Sequence, residues 1–407
     1  MKFRFHCLGL PHTATNADYL ACAYTQKVRK FLKMMSRRGH RCIHYGNEGS
    51  QVPDAVEHVQ LFSEAERSKF FGQHDATKQY DIEWDPNLPY WYKYSQRAAP
   101  ALAERCKKGD FICLITAPYM YRNALDQFPG AYSGICYGPM AVEYGIGYYG
   151  YSSRYRCYES SSHREFCHGM RNYRIEDNLD AVIPNYFDLD EFSIKPDAQS
   201  LRKLQALTAD PYYLFVGRIN KDKGYEIAIE VTHEIGAKLI IAGALSGSSF
   251  DPSSLPSHVR YYGPVNMTER AYLMRHCIAG FAPSRYREPF CGVSVEFQLC
   301  GRPCITTDHA AFLENCATRW RCASHHEFMS AAKDAQTLTD NDFAAIQSHA
   351  ENTWSLEAVA PLYERYFGRL YSLWGNGWYE QRPLEQLMEP RDDRKETSCN
   401  SGSIQTE

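Results

Sequence analysis

The stretch "CIAGFAPSRYREPFCGVSVEFQLCG", residues 277–301, holds a strand, a turn and a helix in one unbroken run. Its apolar opening, "CIAGFAP", predicts a buried strand, and "FQLCG" reads as the end of a short helix. Between them Gly292 lets the backbone turn closely, so the amides that start the helix face a crevice. Those unsatisfied N–H groups, together with the helix dipole, suit a phosphate. Glu288 at the mouth of the turn would repel phosphate, so its expected ligands are neutral hydroxyls. Glu296 lies one turn into a helix of Val293, Val295, Phe297 and Leu299 and is expected to be partly buried. A buried carboxylate needs partners, and a ribose diol supplies two donors. On this segment alone the alternative stays open that both acids simply pair with neighbouring arginines.

Strand and helix patterns alternate in both directions from this stretch, which predicts α/β architecture with parallel sheets. A first series opens with "FRFHCLGL" (3–10), a helical run from Asp18 to Arg38 and "RCIHYG". It continues with "DFICLIT" (110–116), a strand near "MAVEY" (140–144) and "DAVIPN" (180–185). A second series starts at "YYLFVGR" (212–218) and runs through "AKLIIAG", "VRYYGPV" and "PCITTD". The polar, turn-rich "NYFDLDEFSIKPDAQS" between them reads as a link. The expected organisation is two Rossmann-like doubly wound domains facing a central cleft, residues 1–187 and 188–360. A C-terminal helix over 361–388 and a disordered tail over 389–407 follow.

Composition agrees with a chain able to bury its core: of 407 residues 44% are hydrophobic and 23% charged. Fifteen cysteines without regular spacing, several inside apolar runs, suit free thiols in a reducing compartment, so the expected location is cytoplasmic. No apolar run approaches a membrane span. The net charge of −3 divides unevenly. Residues 1–185 hold 23 Lys+Arg against 19 Asp+Glu, or +4, and the remainder 22 against 29, or −7. Lys27, Arg29, Lys30, Lys33, Arg37 and Arg38 crowd one predicted helix. They form either a solvated face or a surface for an anionic partner, such as nucleic acid or an acidic membrane.

Two short motifs compete for a phosphate ligand. "GIGYYG" (145–150) has the literal glycine spacing of a dinucleotide site, with Glu165 about where a ribose acid belongs. It arrives after about four elements rather than at a first strand, and the residues after it open a helix poorly. An NAD-dependent oxidoreductase is therefore the lesser reading. "VGRINKDKGYE" (216–226) is better placed, with Gly217, Arg218 and Lys223 in the loop after a first strand and Gly224 where a helix should start. Two cations beside a helix N-terminus suit a diphosphate. The groups "HREFCH" and "CATRWRCASHH" lack paired zinc-ligand spacing, so no metal site is expected.

"GRINKDKG", followed about 70 residues on by "EPFCGVSVE", resembles the retaining GT-B glycosyltransferases of family 4. "VIPNYFDLDEF" resembles that family's interdomain link and "GRPCITTD" its strand after the second glutamate. The resemblance covers roughly residues 1–375 and is stronger in the second half. It implies a nucleoside-diphosphate sugar, UDP-linked rather than GDP-linked, bound by the second domain with an acceptor on the first, and no metal. Arg218 and Lys223 would neutralise the diphosphate, Glu288 hold the donor sugar and Glu296 the ribose. Gly217, Phe290, Cys291, Gly292 and Val293 would complete the donor site. Cys291 stands where the family usually has glycine, and "DHAAFLE" (308–314) lacks its usual glycine pair.

In the first domain "GLPHTATN" (9–16) takes the place of the family's acceptor loop, offering Gly9, His12 and Thr13. Glu143 stands where relatives place a reacting-sugar histidine or aspartate, as a base or as a structural acid. The acceptor implied is a glycan, a lipid-linked sugar or another polymer, with peripheral membrane contact open. The "GLPHT…TQKV" opening also resembles a phage-type branch, some members of which modify DNA bases. Hydroxymethylated DNA in a host cytoplasm is that alternative, and the aromatic segments 80–94 and 144–158 would suit sugars and bases alike. A non-catalytic sugar-nucleotide-binding module is the remaining one.

Overall fold

The computed structural model describes residues 1–75, 82–131, 138–170, 179–245 and 250–375. The expected tail over 389–407 and the start of the aromatic segment at Tyr80 lie outside them. Seven strands form one parallel sheet: β1 (Arg4–Leu8), β2 (Arg41–Gly46), β3 (Glu57–Gln60), β4 (Phe111–Leu114), β5 (Met140–Ile146), β6 (Tyr155–Tyr158) and β7 (Ala181–Val182). Six form a second: β8 (Tyr212–Val216), β9 (Lys238–Ala242), β10 (Val259–Gly263), β11 (Gly280–Ala282), β12 (Cys304–Thr307) and β13 (Arg321–Cys322). Central strands such as β4 and β8 are buried at every position, which is why their sequences are continuous apolar runs rather than alternating ones.

Strand order is β3-β2-β1-β4-β5-β6-β7 in the first sheet and β10-β9-β8-β11-β12-β13 in the second. Order reverses between β1 and β4, and again between β8 and β11. Ligands of open α/β sheets sit outside the carboxyl ends of strands at such switch points. The loops that leave β1, β8 and β11 are those carrying His12, Arg218 and Glu288. These are two doubly wound domains of GT-B architecture.

Each sheet has its own apolar core. The chain crosses between them twice, at Phe187 and Ser355, and the crossings are tied by Phe187 N–H to the Trp354 carbonyl (2.8 Å) and Leu356 N–H to the Phe187 carbonyl (3.0 Å). The last helix, Leu356–Gly375, then packs in the first core, with Phe367 4.7 Å from both Phe5 and Phe111. Residues 356–360, placed by sequence in the second domain, therefore belong to this returning helix.

The link is less loose than its composition suggests. It contains a short helix, Asp190–Ser193, and buries Asp188 and Glu191. These acids meet the basic helix, which runs over Ala23–Arg37 and not from Asp18. Arg29 and Lys30 pair with Glu191 (2.6 and 3.0 Å), Lys33 with Asp188, and Arg38 with Glu364 (2.8 Å). Arg37 reaches Asp190 at 3.0 Å. The cations that composition offered to an anionic partner are thus matched by acids distant in sequence. Every cysteine among the described residues is a free thiol, none of their helices is long and apolar enough to cross a membrane, and they hold no metal-binding cluster.

Candidate active site

A cleft of about 710 Å³ lies between the domains, lined from both sides. Its second-domain wall begins at Gly224, which sits at φ 71°. A Cβ there would fall 2.1 Å from the Pro283 carbonyl oxygen, so only glycine lets the β8 loop abut the β11 loop. Arg285 N–H then donates to the Asp222 carbonyl at 2.8 Å. This apposition carries Lys223 Nζ to Glu288 Oε1 at 2.6 Å, inside an environment where Glu288 is 3% exposed. Glu288 also accepts from Ser284 Oγ and Tyr286 OH, each at 2.6 Å. Lys223 lies 4.7 Å above the Tyr286 ring. A carboxylate so surrounded is held still and its charge is matched.

Glu296 is also buried, and Arg270 Nη2 approaches its Oε1 at 3.3 Å; both line the cleft. Between the two acids the helix Gly292–Leu299 starts without a side-chain cap. Its N-cap, Cys291, takes a left-handed φ of 65°, a conformation that costs an L-residue about 1–2 kcal/mol. A glycine at this position would avoid that cost. The loop is held from behind: Asn315 Nδ2 donates to the Phe290 carbonyl, and Ser294 Oγ to the Cys291 carbonyl at 2.8 Å. Phe290, Cys291, Gly292 and Val293 all line the cleft, as does Gly217.

Arg218 differs from the other cleft cations. Lys27, Lys30, Lys223 and Arg270 each have an acid, whereas Arg218 has no hydrogen-bond or ion-pair partner among the described residues. A guanidinium left uncommitted beside a helix N-terminus is an anion site in waiting.

On the first-domain wall the outcome is mixed. His12 lines the cleft, and burial, helped by the Arg67 charge, pulls its pKa down to about 3, so the ring is neutral. Its Nε2 lies 3.6 Å from Cys22 Sγ. Gly9 and Thr13 do not line the cleft: Gly9 N–H is bonded to the Tyr45 carbonyl and Thr13 Oγ1 to Thr25 Oγ1 at 2.6 Å. Glu143 does not line it either. It sits within β5 at 0% exposure, accepting from Ser152 N–H (2.7 Å), Ser153 N–H (2.5 Å) and Tyr148 OH (2.5 Å). Burial raises its pKa to about 7. The acid that reaches the cleft from this sheet is Glu159, just past β6, paired with Lys27. Sequence reading passed over Glu159 and took Lys27 only as one charge of the basic helix, because nothing local marks residues that meet only in the folded chain. It also passed over Arg270, and took Trp84 only as part of an aromatic segment.

The dinucleotide reading of "GIGYYG" fails on topology. The glycines leave β5 and lead to β6, and the next helix, Ser161–Met170, opens only after that strand. No helix N-terminus follows the motif to receive a pyrophosphate.

Comparison with known proteins fits this geometry. Residues 197–331, most of the second domain, match the family model described as Glycosyl transferases group 1. A search of curated proteins finds no match. Among solved structures, starch synthase IV from Arabidopsis thaliana, bound to ADP and acarbose, superposes with a TM-score of 0.64 at 12% identity, covering 91% of this chain and 99% of that one. Sucrose-phosphate synthase from Thermosynechococcus elongatus gives 0.62 at 13%, covering 91% and 100%. HepE from Anabaena, in complex with UDP and glucose, gives 0.58 at 14%, covering 90% and 99%. These likenesses are to the two-domain fold, and the family match is to the second domain. Fold and matched domain together define the chain as an enzyme of the GT-B glycosyltransferase class.

Proposed function

We propose that the chain is a retaining, family 4-type hexosyltransferase that moves a sugar from a nucleoside diphosphate, UDP rather than GDP, to an acceptor hydroxyl on a glycan, lipid carrier or other polymer. The observation that carries this reading is the unpaired Arg218 beside the Lys223–Glu288 and Arg270–Glu296 pairs. In it the diphosphate lies between Arg218, Lys223 and the amides of Gly292 and Val293, where fixed donors stabilise the charge that develops as the sugar departs. These groups do the work that a divalent cation does elsewhere, so no metal is required. Glu288, its charge already matched by Lys223, accepts hydrogen bonds from the hydroxyls of the donor sugar, and Glu296 from those of the ribose. That HepE is seen with UDP and glucose supports UDP.

The test is a thermal-shift screen of UDP-, GDP- and ADP-sugars with and without EDTA, followed by transfer assays and product anomeric configuration by NMR. Stabilisation by a UDP-sugar in EDTA and a retained configuration are expected. If Glu288→Ala and Glu296→Ala leave donor affinity and turnover unchanged, the assignment is wrong.

A further inference from the structure

The first two glycines of "GIGYYG" have a visible purpose that is not phosphate binding. A Cβ on Gly145, at φ 59°, would lie 3.2 Å from Lys27 Cδ, and one on Gly147 would lie 3.2 Å from Glu159 Oε2. Both positions clear room for the same ion pair, Lys27–Glu159. Lys27 Nζ also donates to the Gly145 carbonyl at 3.1 Å, and Asn185 Nδ2 to Glu159 Oε2 at 3.3 Å. The two side chains are only 12% and 4% exposed, yet Lys27, Gly147, Glu159 and Asn185 all line the cleft.

A buried ion pair is a poor device for stability, since apolar residues of similar volume often serve as well or better. Its location offers another reason. Ser160, next to Glu159, donates from Oγ to the carbonyl of Pro289, next to Glu288, at 2.6 Å. Each acid is therefore one residue from a single hydrogen bond between the domains. With about 3.8 Å between successive α-carbons, the α-carbons of Glu159 and Glu288 lie within roughly 15 Å of each other. The two acids are also chemically alike, each neutralised by a lysine of its own domain. Lys27 faces the buried Oε1 of Glu159, and Asn185 takes one of the two lone-pair sites on Oε2, so Oε2 keeps a site for a further donor.

We propose that Lys27–Glu159 is the acceptor's hydroxyl-binding site, facing the donor sugar held by Glu288, and that it selects an uncharged polyol, a neutral glycoside, over a polyanion. The inference rests on the transfer reading above and names its acceptor. The pair carries no net charge. The other first-domain cation on the cleft among the described residues, Lys30, is taken by Glu191 at 3.0 Å, and His12 is neutral. Among the described residues no uncommitted lysine or arginine therefore greets a phosphate on this wall. Trp84, 38% exposed on the same wall, presents an indole to a sugar face.

The experiment uses the full chain with methyl hexosides as probes and hydroxymethylated DNA and a polyprenyl phosphate as competitors, read by saturation-transfer NMR in the presence of UDP, and UDP affinity by calorimetry. Two variants are compared with wild type. The double variant K27M/E159Q removes both charges without stranding either, and G147A pushes a methyl group against the carboxylate while leaving both charges in place. A neutral hexoside is expected to bind wild type with an affinity unchanged within 2-fold between low and high salt, to lose at least 10-fold in each variant, and to leave the UDP Kd within 2-fold. Equal hexoside binding by wild type and K27M/E159Q overturns the proposal. So does an absence of binding by every neutral hexoside, or salt-sensitive binding confined to hydroxymethylated DNA or a polyprenyl phosphate. Should UDP fail to bind wild type, the transfer reading falls, and the hexoside titration still decides the role of the pair.

Discussion

Arg218 and Lys223 stand five residues apart in one loop, yet the structure predicts opposite consequences for their removal. Lys223→Ala strands Glu288, whose side chain is 4% exposed. Breaking a buried pair costs roughly 3–5 kcal/mol. Lys223 is itself 20% exposed, and Ser284 and Tyr286 remain as donors to the carboxylate, so the cost falls at or just below that range, about 2–3 kcal/mol. For a domain of this size that lowers the melting midpoint by roughly 4–12 °C. Arg218→Ala breaks no contact among the described residues, so its effect on the empty protein is within about 0.5 kcal/mol. What it removes is a charge-assisted bond to the diphosphate, about 1.5–3 kcal/mol, or roughly 10- to 150-fold in donor affinity. Calorimetric melting of the empty variants, followed by titration with UDP, separates the two. The expected pattern is a destabilised Lys223→Ala and a normally stable Arg218→Ala that binds UDP weakly. An Arg218→Ala variant that melts as early as Lys223→Ala, or binds UDP at wild-type strength, would show that the guanidinium is not an uncommitted phosphate ligand.

Other expectations follow from single positions. Glu296→Gln should abolish discrimination between UDP and 2′-deoxy-UDP, measured as a ratio of Kd values, where wild type prefers UDP by about 10-fold through a charged hydrogen bond. Glu143 keeps its proton in the folded chain up to about pH 7, whereas the unfolded chain releases it near 4.5, so between those values stability falls as pH rises. The span is about 3 kcal/mol, and Glu143→Gln, whose carbonyl can still accept from Ser152 and Ser153, should flatten urea-melt stability across that window. Cys291→Gly relieves a left-handed φ but gives up a buried side chain, so unfolding free energy should move by less than about 1 kcal/mol, with UDP affinity within 3-fold.

The second-domain wall of the cleft was legible because its residues are grouped locally. Glu288, Gly292 and Glu296 share one strand–turn–helix unit, and Arg218, Lys223 and Gly224 share another, so spacing alone places each group at the mouth of its strand. Cys291 was legible as an oddity, but not its φ of 65°, which depends on how the chain must turn to let Asn315 and Ser294 hold the loop. The fold was legible for a related reason. Strands buried on both faces, such as "FICLIT" and "YYLFV", are continuous apolar runs, and the turns between them carry glycine and polar residues. The domain boundary at the C-terminal side was not, since nothing in the periodicity of 356–375 says which core its apolar face will meet.

The first-domain half was illegible in a specific way. Glu143 ends up within β5 and Glu159 just past the neighbouring β6, and nothing local in the sequence says which of them faces the cleft. Glu143 is in the longer strand, which makes it look better placed, but there it is buried and bonded by the backbone of Ser152 and Ser153. Glu159 lies one residue past β6, where the chain leaves the sheet and a carboxylate can face the cleft. Its partner, Lys27, is 132 positions away and in sequence looks like one charge of six on a basic helix. That helix explains the failure most directly. Its cations were read as a surface feature because their acids, at 159, 188, 190, 191 and 364, are supplied by chain segments that return only after the fold is complete. Once those acids are in place the basic face is spent on joining the domains and lining the cleft. Among the described residues lining the cleft, the lysine or arginine without an acid is Arg218, on the opposite wall.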